Sequence, residues 1–215
     1  MISFIDCYIQ SPVNHCVNQF IQRSRIPSTY HMPAQFGTKS LLLEQTPTAY
    51  VILGSSAHVT EFNSWQEELI DFIIPKLEQG IPVLGICYGH QLIAHHYGSI
   101  IDFTDKEKTH FKEARKLNLS QSFWNYSQKS SIELGYAHSQ IITKLSDHFD
   151  NLASSTRFEN EIIRHKTLPF FGLQAHPEAS REFLSNDANV HGNQDKILND
   201  GFEFIMNFYN FSKSL

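Results

Sequence analysis

Residues 81–97 predict a buried strand that turns sharply at a cysteine and runs directly into a helix. Residues 81–86 are almost wholly apolar, which is typical of a strand covered on both faces of a parallel sheet. Gly85 and Gly89 flank Cys87, and residues 88–97 have the pattern of a helix. Two glycines permit the tight turn known as a nucleophile elbow, here with cysteine in the usual place of serine. We therefore expect Cys87 to stand above the sheet.

The elbow also predicts a reactive thiol. A cysteine at a helix N-terminus lies in partial positive charge, which favours the thiolate over the thiol. The three cysteines of the chain are too few for a disulfide framework and suit a reducing compartment, where a single cysteine can be catalytic. The alternative is a buried Cys87 whose glycine neighbours are coincidental. Cys7 and Cys16 are interpreted in that way, as small buried side chains.

A thiolate nucleophile needs a base, and the end of a later strand provides a candidate. The strand predicted over 170–175 leads into His176, and Glu178 follows two residues later. Residues two apart in an extended segment point the same way, so the Glu178 carboxylate can reach one imidazole nitrogen. A surface histidine in a proline turn has the same local sequence. Its presence in one chain with the Cys87 elbow favours a catalytic set of these three residues.

Strands and helices alternate over the first hundred residues, which predicts βαβ units around a parallel sheet. Strands are expected at 2–9, 26–32, 49–53, 81–86 and 170–175, and helices at 14–23, 64–79, 88–97 and 194–211. Residues 99–148 have the pattern of short antiparallel strands with loops. Ser64 and Glu67 are expected to form a capping box, with Gly80 closing that helix. We expect one α/β domain over residues 1–215.

Charge and hydropathy argue against several classes of protein. Seventeen basic against twenty-two acidic residues give a formal charge of -5, and no basic cluster of the kind that binds nucleic acid is present. No apolar run reaches the ~20 residues that a membrane-spanning helix needs. We expect no signal peptide and a cytoplasmic location.

We expect the other histidines singled out in the sequence, and the aromatic residues, to have no role in catalysis or metal binding. His90, His95 and His96 share a predicted helix, but five-residue spacing does not place two ligands on one face, so no metal site is expected. Three other histidines are expected at the surface: His58, His110 and His191. The aromatic residues, Trp65 and Trp124 among them, are expected to pack in the core.

The elbow Gly-Ile-Cys-Tyr-Gly-His-Gln at 85–91, followed by His176-Pro177-Glu178, resembles the class I (triad) glutamine amidotransferases. The resemblance is closest to the glutaminase domain of GMP synthase and its stand-alone relatives, and it covers essentially the whole chain. The two motifs together are specific, whereas neither is specific alone. The resemblance implies a flavodoxin-like three-layer sandwich with a mostly parallel central sheet.

The resemblance also implies a reaction and its residues. Cys87 would attack the side-chain amide carbon of glutamine, forming a γ-glutamyl thioester and releasing ammonia. His176 would protonate the ammonia and then activate the hydrolytic water, while Glu178 would orient and stabilise the imidazolium. No cofactor and no metal are implied. The ammonia would pass to a separate synthetase chain.

Substrate-binding residues follow from the same resemblance. The backbone N–H of Tyr88 and one N–H from the Gly54-Ser55 turn would form the oxyanion hole. Gln91 matches a position that helps to bind glutamine. The family usually has a Gly-Gly-Pro type turn where this chain has Gly54-Ser55-Ser56-Ala57.

A second departure from the family concerns the segment around His138. Relatives of GMP synthase carry Ser-His-x-Asp near the substrate, and this chain has Ala137-His138-Ser139-Gln140. His138 therefore matches the family histidine, and Gln140 replaces the aspartate. The replacement bears on substrate affinity or coupling to a partner and leaves the three catalytic candidates intact.

Two alternatives remain open at the level of sequence. The same three residues would serve a γ-glutamyl peptidase or hydrolase acting on another γ-glutamyl amide. The altered Gly54 turn and Gln140 would also fit a non-catalytic regulatory or scaffolding subunit that has kept the fold. Retention of Cys87, His176 and Glu178 argues against this last interpretation.

Overall fold

The structure, a computed structural model, describes residues 1–61, 63–119 and 131–215; Trp124 lies outside them. The strands are β1 (Ile2–Ile5), β2 (Ser28–His31), β3 (Ala49–Ile52), β4 (Val83–Ile86), β5 (Ile100–Phe103), β6 (Phe111–Leu119), β7 (Ser131–His138), β8 (Gln140–Lys144), β9 (Phe149–Ser154), β10 (Ile162–His165) and β11 (Phe170–Leu173). The helices are α1 (Asn14–Ser24), α2 (Pro33–Phe36), α3 (Lys39–Leu42), α4 (Ser64–Glu78), α5 (Tyr88–His96), α6 (Arg181–Asn186) and α7 (Gln194–Ser212).

A large mixed sheet forms the centre of the fold, with strand order β2-β1-β3-β4-β11-β10-β9-β6-β7. The strands from β2 to β11 in this order pair in parallel, and the rest extend the sheet in antiparallel fashion. Strands β5 and β8 form a separate antiparallel pair. The parallel register places Leu173 opposite Ile86. The carboxyl ends of β4 and β11 therefore lie side by side in the middle of the sheet.

Neighbouring residues of each strand point to opposite faces of the sheet, so each strand contributes side chains to both faces. Helices cover both of these faces. On one face, β1 and β3 contribute Phe4 and Val51 to a core that includes Phe20 of α1 and Phe204 of α7. On the other face, residues of β1, β3, α4 and α5 form a second core: Ile5, Tyr50, Ile52, Leu69, Ile73, Leu92 and Ile93. The expected flavodoxin-like three-layer arrangement is confirmed.

The final helix, α7, has the amphipathic character expected from its sequence. Ile197, Ile205 and Phe208 are buried, whereas Phe202 and Met206 are partly buried at the border of the core. Burial of each large apolar side chain contributes about 1.5–3 kcal/mol, so this face alone anchors the helix. Trp65 is partly buried and packs against the second core.

The expected capping box of α4 is displaced by one residue. Asn63 is the N-cap, and its backbone N–H donates to the Gln66 side-chain oxygen over 2.7 Å, so the pair is not Ser64 and Glu67. Both Asn63 and Ser64 are good N-cap residues, and the sequence does not separate them. Gly80 closes the helix with φ +88°, as expected.

Several short elements have no counterpart in the sequence-based prediction, namely α2, α3, α6, β9 and β10. Each has six residues or fewer, which is too short for a clear hydrophobic period. The antiparallel strands expected within 99–148 are present as β5 to β8. Within the described parts of the chain, no helix has both the length and the apolar character needed to span a bilayer.

Candidate active site

Cys87 occupies a strained turn between β4 and α5. Its φ of 49° and ψ of -99° lie at positive φ, where non-glycine residues are uncommon. The Cys87 backbone N–H donates to the Leu173 carbonyl over 2.8 Å, which ties the turn to β11. A Cβ on Gly85 would lie 2.6 Å from the Gly89 carbonyl carbon, so the two flanking glycines are required by close backbone approach.

His176 and Glu178 lie just beyond β11 and form a buried pair. The His176 Nδ1 atom is 2.8 Å from Glu178 Oε1, and both side chains are at most 5% exposed. The His176 backbone N–H donates to the Gly135 carbonyl over 2.9 Å, so strand β7 fixes the segment. The contact expected from the two-residue spacing is present. Nδ1 is thereby occupied, and Nε2 is the nitrogen left for a reacting group.

Cys87 and His176 come together beside Gly54, which follows β3. A Cβ on Gly54 would lie 3.0 Å from His176 Cε1 and 3.7 Å from Cys87 Cβ. Burial lowers the pKa of His176, but the charge of Glu178 and the interaction with Cys87 outweigh burial and raise this pKa to about 10. The surroundings of His176 therefore favour its imidazolium form.

The turn after β3 and the start of α5 face Cys87 from two sides. Ser55 lines the cavity beside Cys87, and its Oγ accepts a hydrogen bond from the Ala57 N–H over 3.0 Å. Tyr88 is the first residue of α5, and its buried hydroxyl accepts from the Gln66 amide over 2.9 Å. The Tyr88 side chain is thus turned to the core, and only its backbone is available to the site.

Gln91 is engaged by the protein itself. Its Nε2 donates to the Gln140 carbonyl over 2.8 Å and to Gln174 Oε1 over 3.0 Å. Gln174, which was not among the predicted site residues, donates a hydrogen bond from its own Nε2 to Cys87 Sγ over 3.6 Å. A signal for it was available, because Gln174 precedes His176 by two residues and so lies on the same side of the strand.

A cavity of about 230 Å³ opens next to Cys87. Its lining consists of small, polar and imidazole side chains: Ser55, Ser56, Ala57, His58, Cys87, Gln91, His110, Ala137, His138, Ser139 and Gln140. This volume accommodates a small amino-acid-sized ligand. His138 is 3% exposed and lies in the cavity wall.

Two histidines expected at the surface line this cavity, and of these His110 is exposed, as expected, whereas His58 is not. His58 is half-buried, and its Nδ1 lies 2.6 Å from Gln140 Oε1. His110 is exposed at the cavity mouth, and partial burial together with the charges of Lys112 and His176 lowers its pKa. Their positions follow from loops that the hydropathy pattern does not place. His191 is exposed, as expected.

The remaining cysteines and histidines do not extend the site. Cys7 and Cys16 are buried free thiols, as expected. His90 is fully buried, and burial lowers its pKa to about 3. Within residues 1–61, 63–119 and 131–215, no group of three or more His, Cys, Asp or Glu side chains could hold a metal ion.

A strained cysteine at a strand-to-helix elbow, facing a buried His–Glu pair from a neighbouring parallel strand, defines a class of α/β proteins with a cysteine-centred site. Within that class, the chain belongs to the class I glutamine amidotransferase family, whose sequence model matches residues 3–186. The resemblance noted from the motifs is thereby confirmed.

The chain is also similar to individual proteins of known sequence or structure. The GMP synthase [glutamine-hydrolyzing] of Francisella tularensis subsp. holarctica is 34% identical over 103 residues, which are 48% of this chain and 20% of that protein. The chain thus matches about a fifth of the length of such relatives. Among solved structures, a candidate GMP synthase subunit from Thermoplasma acidophilum has a TM-score of 0.74 at 20% identity, covering 100% of this chain and 95% of that one. A glutamine amidotransferase from Thermotoga maritima has a TM-score of 0.67 at 14% identity, covering 99% and 95%.

Proposed function

We propose that this protein hydrolyses the side-chain amide of glutamine through a γ-glutamyl thioester on Cys87. One observation carries the proposal: strained Cys87 and the His176–Glu178 pair, joined at 2.8 Å, meet beside a cavity of about 230 Å³. The family assignment supports a glutamine amidotransferase activity in general. The roles of individual residues are our inference from the geometry.

The first half of the reaction forms the thioester. The Cys87 thiolate attacks the amide carbon, so a C–S bond forms and the carbonyl oxygen becomes an oxyanion. The backbone N–H groups of Tyr88 and of the Gly54-Ser55 turn would receive this oxyanion. The His176 imidazolium donates its Nε2 proton to the leaving nitrogen, the C–N bond breaks, and ammonia departs.

The second half returns the enzyme to its starting state. Neutral His176 takes a proton from water, and the resulting hydroxide attacks the thioester carbon. The C–S bond breaks, glutamate leaves, and the Cys87 thiolate again faces an imidazolium. The Glu178 carboxylate holds Nδ1 throughout, so Nε2 stays aimed at the reacting atoms.

We further propose that the ammonia passes to an acceptor on a separate synthetase chain, as the similarity to GMP synthase suggests. The residues involved lie in what we propose is a single domain over 1–215. A cytoplasmic setting would keep Cys87 reduced. The proposed reaction uses only side chains and backbone groups of this chain, together with water.

Two measurements test the proposal: the turnover of glutamine, and the covalent modification of Cys87 by a glutamine analogue. The protein is incubated with glutamine, alone and with candidate synthetase partners, and both ammonia and glutamate are measured. Cys87→Ala and Cys87→Ser should abolish their release. A glutamine-mimicking alkylator should modify Cys87 alone in peptide mass spectra. Cys7 and Cys16 are internal controls, because burial raises the pKa of each thiol.

The outcomes separate the competing functions. Absence of ammonia and glutamate release under all these conditions would refute glutaminase activity. Turnover of γ-glutamyl peptides at or above the rate for glutamine would favour the γ-glutamyl hydrolase. Failure to form any adduct on Cys87 would favour a non-catalytic role.

A further inference from the structure

A buried ion pair lies next to the cavity, and the proposed reaction does not use it. Arg115 Nη1 is 2.9 Å from Glu161 Oε1, with Glu161 fully buried and Arg115 8% exposed. The guanidinium also lies 3.6 Å over the Tyr136 ring. Burying two charges costs desolvation energy that apolar residues of similar volume would avoid, so stability alone is a poor reason for this pair.

The other side of the guanidinium reaches the cavity wall. Arg115 Nη2 contacts His138 Nε2. Arginine carries donors and no acceptor, so Nε2 must accept, and the ring proton must be on Nδ1. Within the described residues, no group meets hydrogen-bond geometry at this buried Nδ1, although the Gln140 backbone lies near enough to raise the pKa of the ring. A buried donor without a partner is unfavourable unless something else, such as a ligand, satisfies it.

The groups around His138 keep its ring neutral. Arg115 faces it from β6, Tyr136 from its own strand, His110 from the loop before β6, and His176 from the segment after β11. Burial first, and then the charges of Arg115 and His176, lower the pKa of His138 to about 2. The ring is therefore a neutral donor across the whole working range of pH.

We propose that Arg115, anchored by Glu161, is a positioning residue that holds His138 as its neutral Nδ1–H tautomer, and that this N–H donates to an oxygen of the substrate beside Cys87. The inference rests on the proposed function for the identity of the substrate, a γ-glutamyl amide. It adds two residues, Arg115 and Glu161, that neither the motifs nor the catalytic scheme contains. His138 binds the substrate, and the ion pair acts through it.

The test removes both charges of the Arg115–Glu161 pair. Glu113, whose Oε1 also lies 3.3 Å from Arg115 Nε, is partly exposed and keeps Arg157 at 3.9 Å. In the double variant Arg115→Met/Glu161→Met both charges disappear, so the fold is expected to persist. A neutral His138 can then adopt either tautomer. We expect KM for glutamine to rise about 5- to 10-fold at pH 8, as for loss of one hydrogen bond, with kcat changed much less.

Two further measurements make the test specific. The 15N shifts of the His138 ring report the tautomer without any substrate, and the parent protein should show protonated Nδ1. Arg157→Met is the matched control, since Arg157 stacks 5.0 Å over Phe111 and does not contact His138. This control should leave KM unchanged.

The results distinguish this inference from the proposed function. Protonation of Nε2 in the parent protein would overturn the positioning role, whatever the activity. A KM for glutamine in the double variant equal to that of the parent protein would overturn donation to the substrate. Absence of any glutamine turnover in the parent protein would refute the proposed function and, with it, the substrate half of this inference, while the tautomer measurement would still decide the role of Arg115.

Discussion

The Gln174 side chain donates a hydrogen bond to the sulfur of Cys87 over 3.6 Å, and Gln91 holds Gln174 in place over 3.0 Å. Gln174 is 2% exposed, so water cannot readily replace this donor. Cys87 is therefore contacted by an amide from the residue that directly follows the neighbouring strand β11. Gln91 completes a chain of contacts from the Gln140 carbonyl to the cysteine.

Gln174→Met should weaken the reactivity of Cys87 while nearly preserving the side-chain volume. Loss of a hydrogen bond to a charged group corresponds to about a 10- to 100-fold fall in kcat/KM for glutamine. The rate of Cys87 alkylation by iodoacetamide, which needs no substrate site, should fall as well. Gln79→Met, at an exposed position, is the control. Unchanged alkylation in Gln174→Met would contradict a role at the sulfur.

Glu178→Gln should lower the pKa of His176, because the carboxylate is the strongest influence raising it. The imidazolium would then be less stable, and the ring would lose the acceptor that orients it. We expect kcat/KM for glutamine to fall by about 10²- to 10⁴-fold, the range that general acid–base catalysis supplies. Glu182→Gln, on the exposed first turn of α6, should be nearly silent in the same assay. Equal losses in both variants would argue against a specific Glu178–His176 interaction.

Gly54→Ala should displace the imidazole, since the added Cβ would lie 3.0 Å from His176 Cε1. A shift of the base by a few tenths of an ångström or more costs about 10- to 100-fold in kcat/KM. Gly192→Ala is the control, because a Cβ there meets nothing within 4 Å. Urea unfolding should show both variants folded at pH 7. Full activity in Gly54→Ala would mean that His176 does not need this contact.

The stability of the protein should depend on pH through His176. Its pKa rises from 6.5 in the unfolded chain to about 10 in the folded protein, so the folded state binds the extra proton between these values. This contribution is fully present below pH 6.5 and is lost as pH rises through 10. The free energy of unfolding in urea should therefore decrease from pH 6.5 to 10. In His176→Gln the decrease should be smaller, and an identical pH profile in the two proteins would contradict the raised pKa.

Much of the fold could be read from local patterns. Apolar runs located β3, β4 and β11, and the apolar period of residues 194–211 located α7, because each pattern depends on neighbours a few residues apart. The capping of α4 was misplaced by one residue, since two adjacent polar side chains could each serve as the cap. The short strands β9 and β10 were not predicted, because they are too short to show a clear hydrophobic period.

Local sequence accounts for the elbow at Cys87, the His176–Glu178 spacing and the α/β class, because glycine sterics and strand periodicity act within a few residues. Which other side chains reach the site depends on the tertiary structure. Gln174 on Cys87, His58 on Gln140, and Arg115 between Glu161 and His138 are contacts across strands and loops far apart in the chain. Such contacts depend on strand order and register, which long-range packing sets and no local pattern encodes.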